Sequence, residues 1–420
     1  MPTPSGPAGV VLDAADGVVV VDESFTDNPY PIYELLRAQR PVTRVRMAMS
    51  PPIWLVTRYE DVRAGLADPR LAKDAAKLAR ILRRAAGLPE DAVGFDMGLH
   101  DHMLNSDEPK HTRLRKLVNK AFTGRAIGLL RPRIEAVATE LVDAMAARLA
   151  AGEKSVDLVE EYAFPLPMTV ICEILGVPDD RRRAFGTWSH TMLSAASPHE
   201  HLAATEEMGE YLDKLVADKL ANPGTDILSE ILAPDEDADR LTHGEATAMA
   251  SLLLVAGHET TVNLIGNGVL ALLRNPEQRA RLRANPELLP GAVEEFLRLE
   301  SPVNTGTIRF TDEEVTIGGT TIPAGEVVLL GIGSANRDPD QFERPDELDI
   351  GRATRGSIAF GHGIHYCLGA ALARIEGEIA FRVLLDRFPA FTLAVEPSEL
   401  RWHNSILLRG LASLPVGTDG

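Results

Sequence analysis

Cys367 stands in the segment Phe360-Gly361-His362-Gly363-Ile364-His365-Tyr366-Cys367-Leu368-Gly369. The chain has only one other cysteine, Cys172, so Cys367 is not one of a structural set. Gly361 and Gly363 permit a tight backbone path just ahead of it, and the run from Leu368 to Arg374 reads as a helix start. The thiol therefore sits where unpaired backbone N–H groups and the positive end of a helix dipole favour a thiolate. A lone anionic sulfur on such a loop suits one axial bond to the metal of a flat cofactor. The competing reading, a free cysteine acting as a small buried hydrophobe, leaves the glycines and His365 without a purpose.

A second group of polar residues, Ala256-Gly257-His258-Glu259-Thr260-Thr261, interrupts an apolar helical run. The preceding stretch, Ala248 to Ala256, is apolar almost all round and must be buried. Buried polar groups cost free energy unless partnered, so the patch needs a reason. His258-Glu259 opens like a zinc-protease helix, but position 262 is Val and the motif fails. Gly266-Asn267-Gly268 begins a loose dinucleotide fingerprint with no strand ahead of it, a chance match. A capped polar face turned to solvent is the remaining structural reading. His111 and Arg115, four apart, share one helix face, as do Glu295 and Arg298, three apart. Pro109 to Arg125 carries six basic residues (Lys110, Arg113, Arg115, Lys116, Lys120, Arg125) and no acidic one. In a chain of net charge −18 that local reversal suits either a docking partner or a solvated face.

These residues need a rigid frame. Thr242-His243-Gly244-Glu245 has capping-box spacing, and Asn275-Pro276 is a stop, which predicts a helix of roughly 32 residues, ~48 Å long. Pro109 to about Leu232 is mostly helical, with breaks near Gly124, Pro165, Gly176 and Pro198. Val42 to Met47 and Ile53 to Thr57 read as a hairpin, Ile308 to Leu330 as short strands, and the tail after Phe391 as β-like. The expected fold is mainly α with a smaller β portion: a single compact domain over residues 21–420, built on a long central helix, behind a flexible tail at 1–20. At 420 residues, 45% hydrophobic and 25% charged, the composition is that of a soluble globular protein. No apolar run approaches the ~20 residues that span a bilayer. Two cysteines fit a reducing cytosol, and the negative charge argues against nucleic acid and anionic membranes as partners. A cytoplasmic monomer is expected.

The Cys367 segment resembles the haem-thiolate loop of the cytochrome P-450 monooxygenases, Phe-Gly-x-Gly-x-His-x-Cys-x-Gly, with every fixed position present. The resemblance runs from Tyr30 onward. It implies haem b bound through Phe360, Gly361, His365, Cys367 and Gly369, with the Cys367 thiolate on iron. It places Ala256 and Gly257 over the haem, Gly257 letting a ligand approach the backbone. Thr260 is expected to bond back to the carbonyl of Ala256 and open the helix for water and O2, while Glu259 relays protons. His111, Arg115, Arg309 and His365 would meet the haem propionates. Glu295 and Arg298 would brace the cysteine loop, with Arg337 or Arg352 as third member, because the family's Arg-Phe pair is replaced here by Asp346-Glu347. The implied reaction inserts one oxygen atom of O2 into a C–H bond of a bulky lipophilic secondary metabolite, such as a macrolide, polyketide or steroid-like compound. Electrons would come from ferredoxin and ferredoxin reductase, since no reductase domain fits in the chain. The implied pocket walls are Leu88 to Leu104, Phe185 to His201, Pro302 to Thr307 and Ser405 to Leu408, with Glu90, Asp91, Asp96 and Asp101 mostly facing solvent. A peroxide-driven haem enzyme and a thiolate-haem sensor or electron carrier are the alternatives. The Glu259-Thr260 pair counts against both.

Overall fold

The long apolar run after Thr242 folds as one helix. In the computed structural model, which describes residues 10–418 apart from 13–16, 23, 48–50, 86, 88, 90–97, 194–196 and 235–238, this central helix spans His243–Arg274. Its first turn is closed reciprocally: the Glu245 N–H donates to Thr242 Oγ1 at 3.3 Å and the Thr242 N–H to Glu245 Oε2 at 2.9 Å. The helix is long and apolar enough to cross a membrane, yet 72% of its most apolar stretch is buried inside the protein. It is a core helix, hydrophobic all round because other helices surround it. Pro165–Leu175, Pro198–Ala221, Leu289–Leu299 and Ala370–Arg387 pack on it. Gly268, from the loose fingerprint, lies inside this helix, and a Cβ there would come within 2.4 Å of the Phe381 ring. That glycine serves helix packing.

The β portion stands to one side. Its main sheet has seven strands in the order Val10–Leu12, Val19–Val21, Val42–Met47, Ile53–Val56, Val327–Leu330, Arg309–Thr311 and Leu71–Ala72. The expected hairpin is present, with Val42 paired antiparallel to Val56. Of the stretch 1–20, read as a flexible tail, the described residues contribute strand: Val10–Leu12 pairs antiparallel with Val19–Val21, both built from β-branched valines that favour a strand. Among the described residues after Phe391, Thr392–Leu393 and Pro415–Gly417 are the strands; they form a small sheet with Val156–Asp157. Two of the expected pocket walls are bonded together, the Asn304 N–H donating to Leu407 O at 2.8 Å.

The expected brace is fully buried. Arg298 donates to Glu295 through Nε at 2.7 Å and Nη2 at 2.9 Å, and both side chains are wholly inaccessible. Arg298 also reaches Asn336 O and Pro345 O, at 2.8 and 2.7 Å. Arg352 is the third member, with Nε 3.0 Å from Glu295 Oε1. Arg337 is occupied elsewhere, on Glu300 and Asp346. The brace thus ties the helix Leu289–Leu299 to the segment leading into the cysteine loop.

A second buried acid, Glu376, has one neutral partner, the Thr261 hydroxyl at 3.3 Å. Burial pushes its pKa up to about 8. Such an acid holds its proton more tightly folded than unfolded, so stability is full below the ordinary value of 4.5 and falls as pH rises toward 8. Glu376→Gln should therefore stabilise the protein at pH 8 by a few kcal/mol, on the order of ~3, and do little at pH 4. Urea unfolding at the two pH values checks this; an equal effect at both would refute a neutral buried acid. Arg298→Leu should cost about 3 kcal/mol in the same assay, because it leaves the buried Glu295 carboxylate with Arg352 as its one cationic partner. The double variant Glu295→Leu/Arg298→Leu should cost less than the single one.

Candidate active site

Gly361 and Gly363 have φ of +75° and +76°, the left-handed region that a side chain disfavours. A Cβ on Gly363 would also lie 3.0 Å from Ala67 Cα. These two residues turn the chain so that the Cys367 N–H donates to Phe360 O at 2.9 Å. Gly369 caps the helix Ala370–Arg387. Cys367 is half-buried, and the Arg374 guanidinium lies over the Phe360 ring, 4.5 Å from its centroid. Burial pushes the Cys367 thiol up, while the Gly369 N–H and the charges of Arg115 and Arg374 pull it down. Burial is the larger effect, and the net shift is upward. A bound metal gives the thiolate, since coordination deprotonates a thiol outright. Cys172 is different: it is inaccessible, its thiol is pushed up to about 12 by burial, and it packs on Met168.

On the central helix the Thr260 hydroxyl donates to Ala256 O at 2.8 Å, as the sequence predicts. The helix nevertheless runs unbroken through this turn; no opening accompanies the bond. Ala256 is exposed and Thr260 is half-buried. Gly257 does not present bare backbone to a ligand: a Cβ there would strike Ile171 Cδ1 at 2.8 Å, so its smallness admits the helix Pro165–Leu175. Glu259 is buried, with Oε1 3.7 Å from His190 Nδ1 and Oε2 3.3 Å from His258 Nε2. Burial works to raise its pKa, but His190 and His258 outweigh it and hold the acid well below the usual carboxylate range. His190 is shifted upward in return, by the Glu259 carboxylate beside it.

Below these residues lies a concentration of positive charge. Arg309 is 4% exposed; its guanidinium donates to Leu71 O and Leu66 O, and burial lowers its pKa to about 10. His111 is buried with both ring nitrogens unpartnered, and its ring centroid is 4.4 Å from that of His365. Burial, then the charges of Lys73 and Arg309, push His365 down to about 2. Arg115 is partly buried on the same helix, Lys110–Asn119. The structure adds two members that the sequence reading missed, Lys73 and His102. Lys73 is 2% exposed, and its ammonium donates to Thr307 Oγ1. Burial and the Arg309 charge hold its pKa well below the ordinary lysine value. His102 is buried with Nδ1 unpartnered. A fully buried lysine is a strong signal, but nothing in local sequence separates Lys73 from a surface lysine.

Asp107 is the acid that offsets Lys73 and Arg309, and its carboxylate is also engaged by the Lys73 and Asp74 N–H groups. Buried cations and orphaned imidazoles gathered this way fit a group carrying two carboxylates. Haem propionates are such a pair, and a half-buried thiol on a glycine loop fits its iron. Elsewhere the expected basic face is partly spent within the chain. Lys110 pairs with Asp101, and Arg113 with Asp239 and Glu245. Lys120 bonds Ala233 O. Asp101 is thereby committed to Lys110, while Glu90, Asp91 and Asp96 lie outside the described residues, as do residues 88, 90–97 and 194–196 of the expected walls. A cavity of about 640 Å³ is lined by Thr187, Trp188, His190, Thr191, Ala203, Ala204, Glu200, Glu207, His403 and Asn404. It is more polar than the lipophilic walls expected, and neither Thr260 nor Cys367 lines it.

A sequence profile described as Cytochrome P450 matches residues 192–410. Cytochrome P450 107B1 of Saccharopolyspora erythraea is 50% identical over 399 residues, covering 95% of this chain and 97% of that protein. Vitamin D(3) 25-hydroxylase of Pseudonocardia autotrophica is 49% identical over 396 residues, covering 94% of each. Among solved structures, the tirandamycin C-bound P450 monooxygenase TamI matches with a TM-score of 0.86 at 49% identity, covering 95% of this chain and 100% of that one. The chain belongs to the cytochrome P450 family, a family that binds haem b through a cysteine thiolate, and it is a monooxygenase.

Lys73→Met should weaken haem retention by roughly tenfold or more, the effect of one lost bond to a buried charge. Transfer of haem to excess apomyoglobin measures it. Retention equal to the parent protein would remove Lys73 from the cradle.

Proposed function

We propose that this chain is a cytoplasmic, ferredoxin-dependent hydroxylase or epoxidase of a bulky lipophilic metabolite of the polyketide, macrolide or steroid-like kind. The observation that carries the reading is the pairing of the Cys367 loop with a buried cationic cradle and a threonine-bearing helix. When bound, haem supplies the activation of O2 and the oxidant for the C–H bond. Cys367 would hold its iron as a thiolate. Lys73, His111, Arg115, Arg309 and His365 hold the propionates, and His102 lends its free nitrogen at the edge of that group. Ala256 leaves space over the haem face. The Thr260 hydroxyl, fixed by Ala256 O, holds a proton at the oxygen-binding side. Glu259 passes protons to it, handed on by His190 from the cavity.

The substrate class is supported by the names of relatives half identical to this chain, which specify vitamin D(3) and tirandamycin C. Delivery of electrons by a separate ferredoxin and reductase is supported by the face around the cysteine. Ile364 and Tyr366 are 48% and 42% exposed there. They flank His365, which touches the basic helix through His111. Apolar contacts with a basic border suit an acidic protein that docks briefly.

Three measurements test this. Lipophilic compounds of the named classes should shift the haem optical spectrum on binding, and NADPH with ferredoxin and reductase should convert them. Turnover with peroxide alone, and none with the reducing system, would overturn the electron route. Cys367→Ala should lose the thiolate-type spectrum of the reduced carbon monoxide complex. Thr260→Ala should divert electrons to peroxide and lower product formed per NADPH severalfold, roughly 1 kcal/mol or more of lost steering; an unchanged yield would remove Thr260 from the proton path.

A further inference from the structure

We propose that His190, Glu259 and His403 form a site for one divalent transition-metal ion of the zinc class, distinct from the iron. The three come from separate elements: the helix Arg182–Leu193, the central helix and the C-terminal segment. One ligand atom of each lies within 4.8 Å of the others, the only such group among the described residues. Nδ1 of His190 is 3.7 Å from Glu259 Oε1, and the two imidazole centroids are 4.8 Å apart. Zinc bonds of ~2.0–2.2 Å set neighbouring donors roughly 3.4 Å apart, so the set closes on an ion through shifts of about 1 Å. His190, whose side chain is 49% exposed, is free to make most of that movement.

Donor chemistry selects the ion. Two imidazoles and one carboxylate suit zinc, nickel or copper; magnesium and calcium prefer all-oxygen shells. His258 Nε2 lies 3.3 Å from the second Glu259 oxygen without a hydrogen bond to it, the ring being held through Nδ1 on Leu254 O at 2.9 Å. His190 and His403 both line the cavity of about 640 Å³, so a fourth ligand position opens onto it. An ion held there cross-links two helices and the C-terminal segment at the rim of that cavity. It also takes the Glu259 carboxylate, so zinc acts as an inhibitor of turnover. The inference goes beyond the proposed reaction, and zinc binding is measured without turnover.

The test is calorimetric titration of the haem-loaded, metal-stripped full chain with zinc chloride. One ion per chain is expected. His190→Ala and His403→Ala should each weaken binding roughly tenfold or more, and the double variant should abolish it. His199→Ala, an exposed histidine on the neighbouring helix Pro198–Ala221, should leave it unchanged. An unaltered Soret band in each variant shows that the fold is retained. Absence of saturable zinc binding, or binding that persists in the double variant, overturns the proposal.

Discussion

Charge taken out of water must find its opposite, and in this protein the unmet charge is positive. Lys73 and Arg309 are almost inaccessible, and Arg115 and His365 are partly so. Each is destabilised in its charged form by burial, and His365 further by its cationic neighbours. Asp107 offsets only part of this. Leaving such a group unpaired costs several kcal/mol per ion, which a dianionic ligand removes. The sheet edge at Leu71, the strand Arg309–Thr311 and the helix Lys110–Asn119 bring these cations together. The cysteine loop, which touches the same group through His365, is held with them.

The central helix shows how one apolar element carries several tasks. Its glycines and its long aliphatic side chains pack it against neighbouring helices. Some of its polar residues are answered individually, Thr260 by Ala256 O and the Asn267 amide N–H by Arg409 O, and Glu259 lies beside two histidines, while the buried Asn263 amide has no hydrogen-bond partner. Gly257 illustrates the difference between a pattern and its cause. It stands at the position implied for ligand approach, yet the Ile171 side chain occupies the space a Cβ would need. Close helix packing takes up the Gly257 position, while the neighbouring Ala256 is exposed.

The surface is less polarised than its sequence suggests. At least four of the six basic residues between Pro109 and Arg125 (Lys110, Arg113, Arg115 and Lys120) bind groups of this chain. The apolar side chains of Ile364 and Tyr366 are then as important to a docking face as its charge. Transient electron-transfer contacts are small, and a few exposed apolar residues with a modest electrostatic bias suit them.

Much of this was legible in the order of residues, wherever the information is local. The ends of the central helix follow from a reciprocal cap and an Asn-Pro stop. The Thr260 bond follows from its spacing to Ala256, and the tight turn before Cys367 from its glycines. The Glu295–Arg298 pair follows from helical periodicity. Contacts between distant segments were beyond local reading. Lys73 joins the cradle because a short strand edge lies against Arg309, some 230 residues on. Arg352, rather than Arg337, completes the brace because of how the chain returns past Pro345. His190 and His403 meet Glu259 only once a helix and the C-terminal segment converge. Spacing along a helix is set by its pitch and is written in sequence. Which side chains share a buried space is set by packing, and packing belongs to the whole fold.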